Sequence, residues 1–245
     1  MKIIQTPGGD FTQKVEARLK QLRFHPDFLR ERNEEVINLT REFIESGGKR
    51  EEIHKLRGQG HVEASRLWQA CSEYALIKDT YPARVRFLSE LLKYIGGVTK
   101  DRPKVADDGC GGGVDLFCLT HILGDAVELV GVDPDGFALN VARDRNPGLE
   151  LRESLGDAGK FDLVYCDFVD WGRGRMTEYD VDGKRDEWSA ALAEGGLLIQ
   201  NVDFPDWQRE TYKDIISTSF NPLRDELIQT IPEFEDCHLI VFEKK

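Results

Sequence analysis

The sequence predicts an α/β domain: a mostly parallel sheet of about seven strands flanked by helices, ending in an antiparallel edge hairpin and preceded by a helical extension. Three observations predict it. From residue 104 onward, short apolar runs that suit strands alternate with longer runs that suit helices, which is the pattern of a parallel sheet with crossover connections. Between the first such strand and helix stands Gly109-Cys110-Gly111-Gly112-Gly113, a turn in which the backbone can take positive φ and approach a ligand closely. Near the end, residues 227–231 and 238–243 alternate apolar and polar side chains and are joined by Pro232-Glu233-Phe234-Glu235-Asp236, the form of a hairpin.

The 245 residues are 40% hydrophobic, enough to bury a real core. The expected division is a helical extension over 1–80 and the α/β domain over 81–245. Charge is uneven along the chain: residues 1–100 hold 18 Lys/Arg against 14 Asp/Glu, and residues 101–245 hold 15 against 31. So acidic a C-terminal part would repel a nucleic-acid backbone. No apolar run is long enough to span a membrane, and the first twenty residues lack a signal peptide's apolar core. Five cysteines (Cys71, Cys110, Cys118, Cys166, Cys237) form no C-x-x-C pair, so a reducing cytoplasm is expected and a disulfide framework is not. Five scattered histidines argue against zinc, and no metal site is expected.

In chain order, Asp10-Phe11-Thr12-Gln13 resembles a capping box opening a polar helix to about Arg23. Pro26 suits the first turn of a second helix, in which Leu29, Val36 and Phe43 recur until Gly47-Gly48. Residues 48–60 are charged and glycine-punctuated. Lys49, Arg50, Lys55 and Arg57 there form a solvated run that could contact phosphate. A third helix is expected over 62–78. Pro82 opens a fourth, with Val85, Leu88, Leu92 and Ile95 spaced for packing and Gly96-Gly97 as its stop. Because this helix leads into the glycine-loop strand from below, its first turn, with Tyr81 and Arg84, should lie at the ligand edge of the sheet.

Val105-Ala106 begins the first strand, which ends in Asp107 and Asp108. About twenty residues on, Leu129-Val130-Gly131-Val132 ends at Asp133, which a parallel sheet places at the same edge as the glycine turn, where a carboxylate can take both hydroxyls of a ribose. The loop is not G-x-G-x-x-G, since Val114 and Leu116 fall on the third position, and it lacks the Gly-Lys-Ser/Thr of a Walker A loop. Further on come a helix over 137–145, a third strand over 149–152 and a fourth, Phe161 to Asp167. A helix over 185–193, a fifth strand from Glu194 to Asn201 and an amphipathic segment over 205–217 follow.

Asp107, Gly109, Gly111 and Gly113 spell D-x-G-x-G-x-G, and with Asp133 they resemble the first motifs of the class I S-adenosylmethionine (SAM) dependent methyltransferases, a Rossmann-like family. The resemblance covers residues 81–245, and nothing in 1–80 enters it. It implies SAM as cofactor, bound by Tyr81, Asp107, Gly109, Cys110, Gly111, Gly113, Asp133, Pro134, Ser154, Leu155, Asp167 and Phe168. Carboxylates suit this ligand, which carries a sulfonium and an ammonium and no phosphate. Asp167, at the end of the fourth strand, is the candidate catalytic carboxylate, either accepting a proton or orienting the substrate. The metal-dependent catechol-type pattern, an acid after the fourth strand and Asp-Asn after the fifth, is met only in part, because the later pair here is Gln200-Asn201.

The activity implied is methyl transfer to a nitrogen or oxygen of a small-molecule or peptide-sized acceptor, with residues 1–80 serving as a lid. Two other uses stay open. One is a non-catalytic SAM-binding or assembly subunit in which the extension forms a homodimer surface. The other is an RNA methyltransferase guided by the basic segment.

Overall fold

The computed structural model describes residues 11–20, 81–156, 159–167, 181–202, 206–229 and 237–245, without the side chains of 81–83, 206–208 and 228–229. The helices expected over 26–46 and 62–78 lie outside the described residues. Six α-helices and seven strands occur among those that are described. They are α1 (Phe11–Leu19), α2 (Tyr81–Gly97), β1 (Lys104–Asp108), α3 (Val114–Leu123), β2 (Glu128–Val132), α4 (Gly136–Arg145) and β3 (Glu150–Arg152). β4 (Phe161–Asp167), α5 (Val181–Ala191), β5 (Leu192–Val202), α6 (Asp206–Ile216), β6 (Phe220–Gln229) and β7 (Cys237–Lys244) complete the series.

The strands form one sheet in the order β3-β2-β1-β4-β5-β7-β6. β1 to β5 pair in parallel, whereas β7 runs antiparallel between β5 and β6. Strand order reverses at β1 and β4, and in open α/β sheets that is where a crevice opens beyond the strands' carboxyl ends.

A two-residue period assigns alternate side chains to the two faces. On one face Val105, Leu163, Tyr165, Leu197 and Ile199 pack with α1, α2 and α3. On the other, Ala106, Val130, Val164, Cys166 and Leu198 pack against Trp188 of α5 and Tyr212 of α6. Helix α2 shows how the sequence produces this layering. Val85, Leu88, Leu92 and Ile95 recur at helical spacing and are all buried, each worth about 1.5–3 kcal/mol of apolar burial. Helix α1, the described part of the N-terminal extension, buries Val15 and Leu19 in the same cluster and packs on α2 and α3.

Three boundaries differ from expectation. Helix α5 spans Val181–Ala191, and β5 begins at Leu192 because Leu192 pairs with Phe161 across an irregularity before the regular register from Leu163–Leu197 onward. Strand β6 begins at Phe220, seven residues before the expected start. Pro222 is accommodated because β6 is the outermost strand, which needs ladder donors on one side only, and the register shifts just after it.

The consecutive acids Asp107 and Asp108 face opposite ways. Asp108 turns to the α5 side, where its Oδ2 accepts from Trp188 Nε1 at 2.7 Å and Lys184 Nζ lies 3.3 Å away. Burial raises the Asp108 pKa, against the pull of Lys184 and Trp188. Trp188→Phe removes the donor and replaces the fully buried indole with a smaller phenyl ring, and it should lower the unfolding free energy by at least about 1–3 kcal/mol in chemical denaturation.

Candidate active site

The turn between β1 and α3 is built by its glycines. Gly109, Gly111 and Gly113 have φ of 89°, 50° and 71°, a region that disfavours any side chain. The Gly109 and Cys110 amides both donate to Val132 O, at 2.8 and 2.9 Å, which fastens the bend to the end of β2. Gly113 is enclosed as well. A Cβ there would stand 2.5 Å from Asn146 Nδ2, and that amide donates to Gly113 O at 2.9 Å and to Ala142 O at 3.2 Å. Arg145 adds a bond to Gly112 O, so α4 holds the loop from outside.

Asp133, just past β2, closes on this loop. Its Oδ2 accepts from the Gly111 amide at 2.9 Å and its Oδ1 from the Asp135 amide at 2.9 Å. Asp135 in turn caps α4 by accepting from Phe137 N at 3.0 Å.

Beneath the loop lies a buried charge cluster. Arg84 of α2, Asp107 of β1, Asp115 in the first turn of α3 and Asp167 of β4 are all buried, Arg84 being the most accessible at 8%. Arg84 Nε donates to Asp167 Oδ2 at 2.7 Å and stands 3.2 Å from Asp115 Oδ1. Asn201 Nδ2 donates to Asp167 Oδ1 at 2.7 Å. Both Asp167 oxygens are thus engaged, which suits an orienting carboxylate better than a free proton acceptor.

Three acids share one guanidinium. Burial, reinforced by Asp167 and opposed by Arg84, raises the Asp115 carboxyl from an ordinary 3.8 to about 7. Burial and the neighbouring Asp115 likewise push Asp107 well above the usual carboxylate range. For Arg84, burial disfavours the charge, but Asp115 and Asp167 outweigh it, so the guanidinium is held charged more firmly than usual. Asp107 Oδ2, Arg84 Nη1, Tyr165 Oη and Asn201 Oδ1 are buried without a hydrogen-bond partner among the described residues.

Of the residues singled out from sequence, the structure gathers Asp107, Gly109, Cys110, Gly111, Gly113, Asp133 and Asp167 at one sheet edge, with Arg84 against Asp167. Cys110 is buried at the bend, and burial with Asp107 and Asp133 nearby holds its thiol protonated. Pro134 and Ser154 are exposed on the loops after β2 and β3. Leu155 packs its side chain into the core, and its amide donates to Glu187 at 3.3 Å. The Tyr81 side chain and Phe168 lie outside the described residues.

Gln200 and Asn201 separate onto opposite faces. Gln200 accepts from Tyr212 on the α6 side, so of that pair Asn201 alone adjoins Asp167. Asp115 was missed in the sequence, although an acid in the first turn of an otherwise apolar helix, VDLFCLTHIL, was a visible signal.

No family model and no curated protein matches the sequence. Solved structures match its fold. The N-methyltransferase NodS from Bradyrhizobium japonicum WM9, in complex with S-adenosyl-L-homocysteine, is 19% identical with a TM-score of 0.55, covering 70% of this chain and 91% of that chain. A methyltransferase from Pyrococcus furiosus is 14% identical with a TM-score of 0.50, covering 65% and 84%. This chain therefore has the Rossmann-like fold of the class I SAM-dependent methyltransferases.

The raised Asp115 carboxyl has a consequence for stability. A group bound to its proton more tightly when folded contributes stability that is complete below about pH 4 and is lost as pH rises through about 7. Asp115→Asn should remove a few kcal/mol of that decline, measured as unfolding free energy from pH 4 to pH 8. An unchanged slope in the variant would place the proton elsewhere.

Proposed function

We propose that this chain binds S-adenosylmethionine and transfers its methyl group to a nitrogen or oxygen of a small-molecule or peptide-sized acceptor. The observation that carries the reading is the bond from the Gly111 amide to Asp133, which puts the glycine bend and the ribose-type acid on one crevice. Chemistry supports the same ligand. A crevice floored by Asp107, Asp115 and Asp167 would repel a pyrophosphate and attract a sulfonium and an ammonium.

SAM, when bound, supplies a methyl group already activated on a positively charged sulfur, so the protein's work is mainly orientation. Gly109 and Gly111 leave the backbone bare where the nucleoside passes. Asp133, anchored by the Gly111 and Asp135 amides, takes the ribose hydroxyls. Asp167, held by Arg84 and Asn201, orients the acceptor at the end of β4.

A second reading, a non-catalytic SAM-binding or assembly subunit, is favoured by one observation: both Asp167 oxygens already accept a hydrogen bond, from Arg84 and Asn201, which holds the acid in an ion pair rather than leaving it poised as a base. Transfer of a tritiated methyl group to components of a cell extract separates the two, because a subunit that binds SAM and labels nothing is not a transferase. The acidity of residues 101–245 still argues against an RNA acceptor. Among the described residues no helix is long and apolar enough to cross a membrane. Cys110, Cys118, Cys166 and Cys237 are free and buried, which supports a reducing compartment.

Asp133→Ala should weaken SAM binding by about 1–3 kcal/mol in calorimetry. A parallel melting curve separates this from loosening of the loop, whose Gly111 and Asp135 amides lose their acceptor. Unchanged affinity would remove Asp133 from the ribose site.

A further inference from the structure

Among the described residues, the floor of the crevice holds more negative charge than its own cation balances. Asp107, Asp115 and Asp167 face the single guanidinium of Arg84, whose Nε is already committed to Asp167 at 2.7 Å. Asn201 Oδ1, more than nine-tenths buried, has no donor among the described residues, and Asp107 has only the neutral Tyr165 hydroxyl beside it. A buried cluster of this kind reduces its net negative charge by keeping a proton or by receiving an external cation.

We propose that this acid cluster holds one proton in the cofactor-free protein and releases it to solvent when the sulfonium of SAM enters, so that Asp115 makes the protein distinguish SAM from S-adenosylhomocysteine by charge. This rests on the function proposed above. The step balances: the carboxyl O–H bond breaks, its proton goes to the buffer, and the carboxylate left behind is compensated by the ligand's positive sulfur. S-adenosylhomocysteine has a neutral thioether and the same amino and carboxylate groups, so it leaves the proton in place. After methyl transfer the cluster takes a proton back from solvent, which weakens the hold on the product.

Asp115 is the member assigned to the exchange. Asp167 accepts two hydrogen bonds, from Arg84 and Asn201, whereas Asp115 Oδ1 stands 3.2 Å from Arg84 Nε and accepts no hydrogen bond. The charged and titratable groups facing Asp115 are Arg84 of α2, Asp107 of β1 and Asp167 and Tyr165 of β4. On its own helix Cys118 lies one turn on, where Arg18 of α1 and Arg145 of α4 also act. Among the described residues Arg84 is the cation in contact with Asp115 and Asp167, whereas Arg18 and Arg145 act at Cys118. The upward shift of the Asp115 carboxyl to about 7 places the exchange near neutral pH.

The test is calorimetric titration of the full chain with SAM and with S-adenosylhomocysteine at pH 7, each in phosphate and in Tris, whose ionisation enthalpies differ. SAM should release up to about half a proton more than S-adenosylhomocysteine. The ratio of the two affinities should rise with pH, by up to about tenfold per unit below pH 7 and less above it. Asp115→Asn, shown to keep a cooperative melt, should lose the extra release and flatten the ratio. Equal proton release by the two ligands, or affinities that move in parallel with pH, overturns the inference while leaving SAM binding intact. Release that persists in Asp115→Asn overturns the assignment to Asp115. Failure of both ligands to bind overturns the proposed function itself.

Discussion

The hydrogen bond from the Gly111 amide to Asp133 joins two parts of the chain that are 22 residues apart, and most of the site is arranged around it. It requires β1 and β2 to be parallel neighbours, with Asp107 opposite Gly131 and Asp108 opposite Val132. It also requires positive φ at Gly111, because the loop must turn its amide toward the end of β2 rather than continue the strand. The same carboxylate takes the Asp135 amide, so one side chain fixes both the glycine bend and the entry to α4. Remove it, and two amides lose their acceptor together.

Strand alternation then divides the polar residues between two networks. Asp107 and Asp108 are adjacent in sequence, yet one joins Arg84 and Asp115 under the crevice while the other is bound by Trp188 and Lys184 on the opposite face. Gln200 and Asn201 part in the same way, toward Tyr212 and Asp167. The far-side network has a donor for each acceptor it exposes to the core, as a structural network should. On the crevice side, atoms of Asp107, Arg84, Tyr165 and Asn201 are left without partners. Buried atoms without partners cost free energy, and these four stand close to the glycine bend.

Charge explains why such a floor can persist. Burying three carboxylates against one guanidinium destabilises the protein above the ordinary carboxyl range, and retaining a proton limits that cost. A ligand that brings its own positive charge relieves the remainder. A dinucleotide could not, and its phosphates would meet the acids at close range. The glycine bend alone would fit either ligand. The acids choose between them.

The sequence by itself determined the sheet, because alternating strand and helix patterns survive whatever surrounds them, and it determined the glycine bend with its downstream acid at Asp133, because those depend on local backbone freedom and on strand spacing. The early start of β6 at Phe220 was not legible, since Pro222 is tolerated only in an outermost strand, and strand order is a tertiary property. Nor was the partnership of Arg84, Asp115 and Asp167, which stand on three elements separated by up to 83 residues. Tertiary structure alone decided it: packing α2 and α3 on one face of the sheet forces these side chains into a common dry space, where their charges must answer to one another.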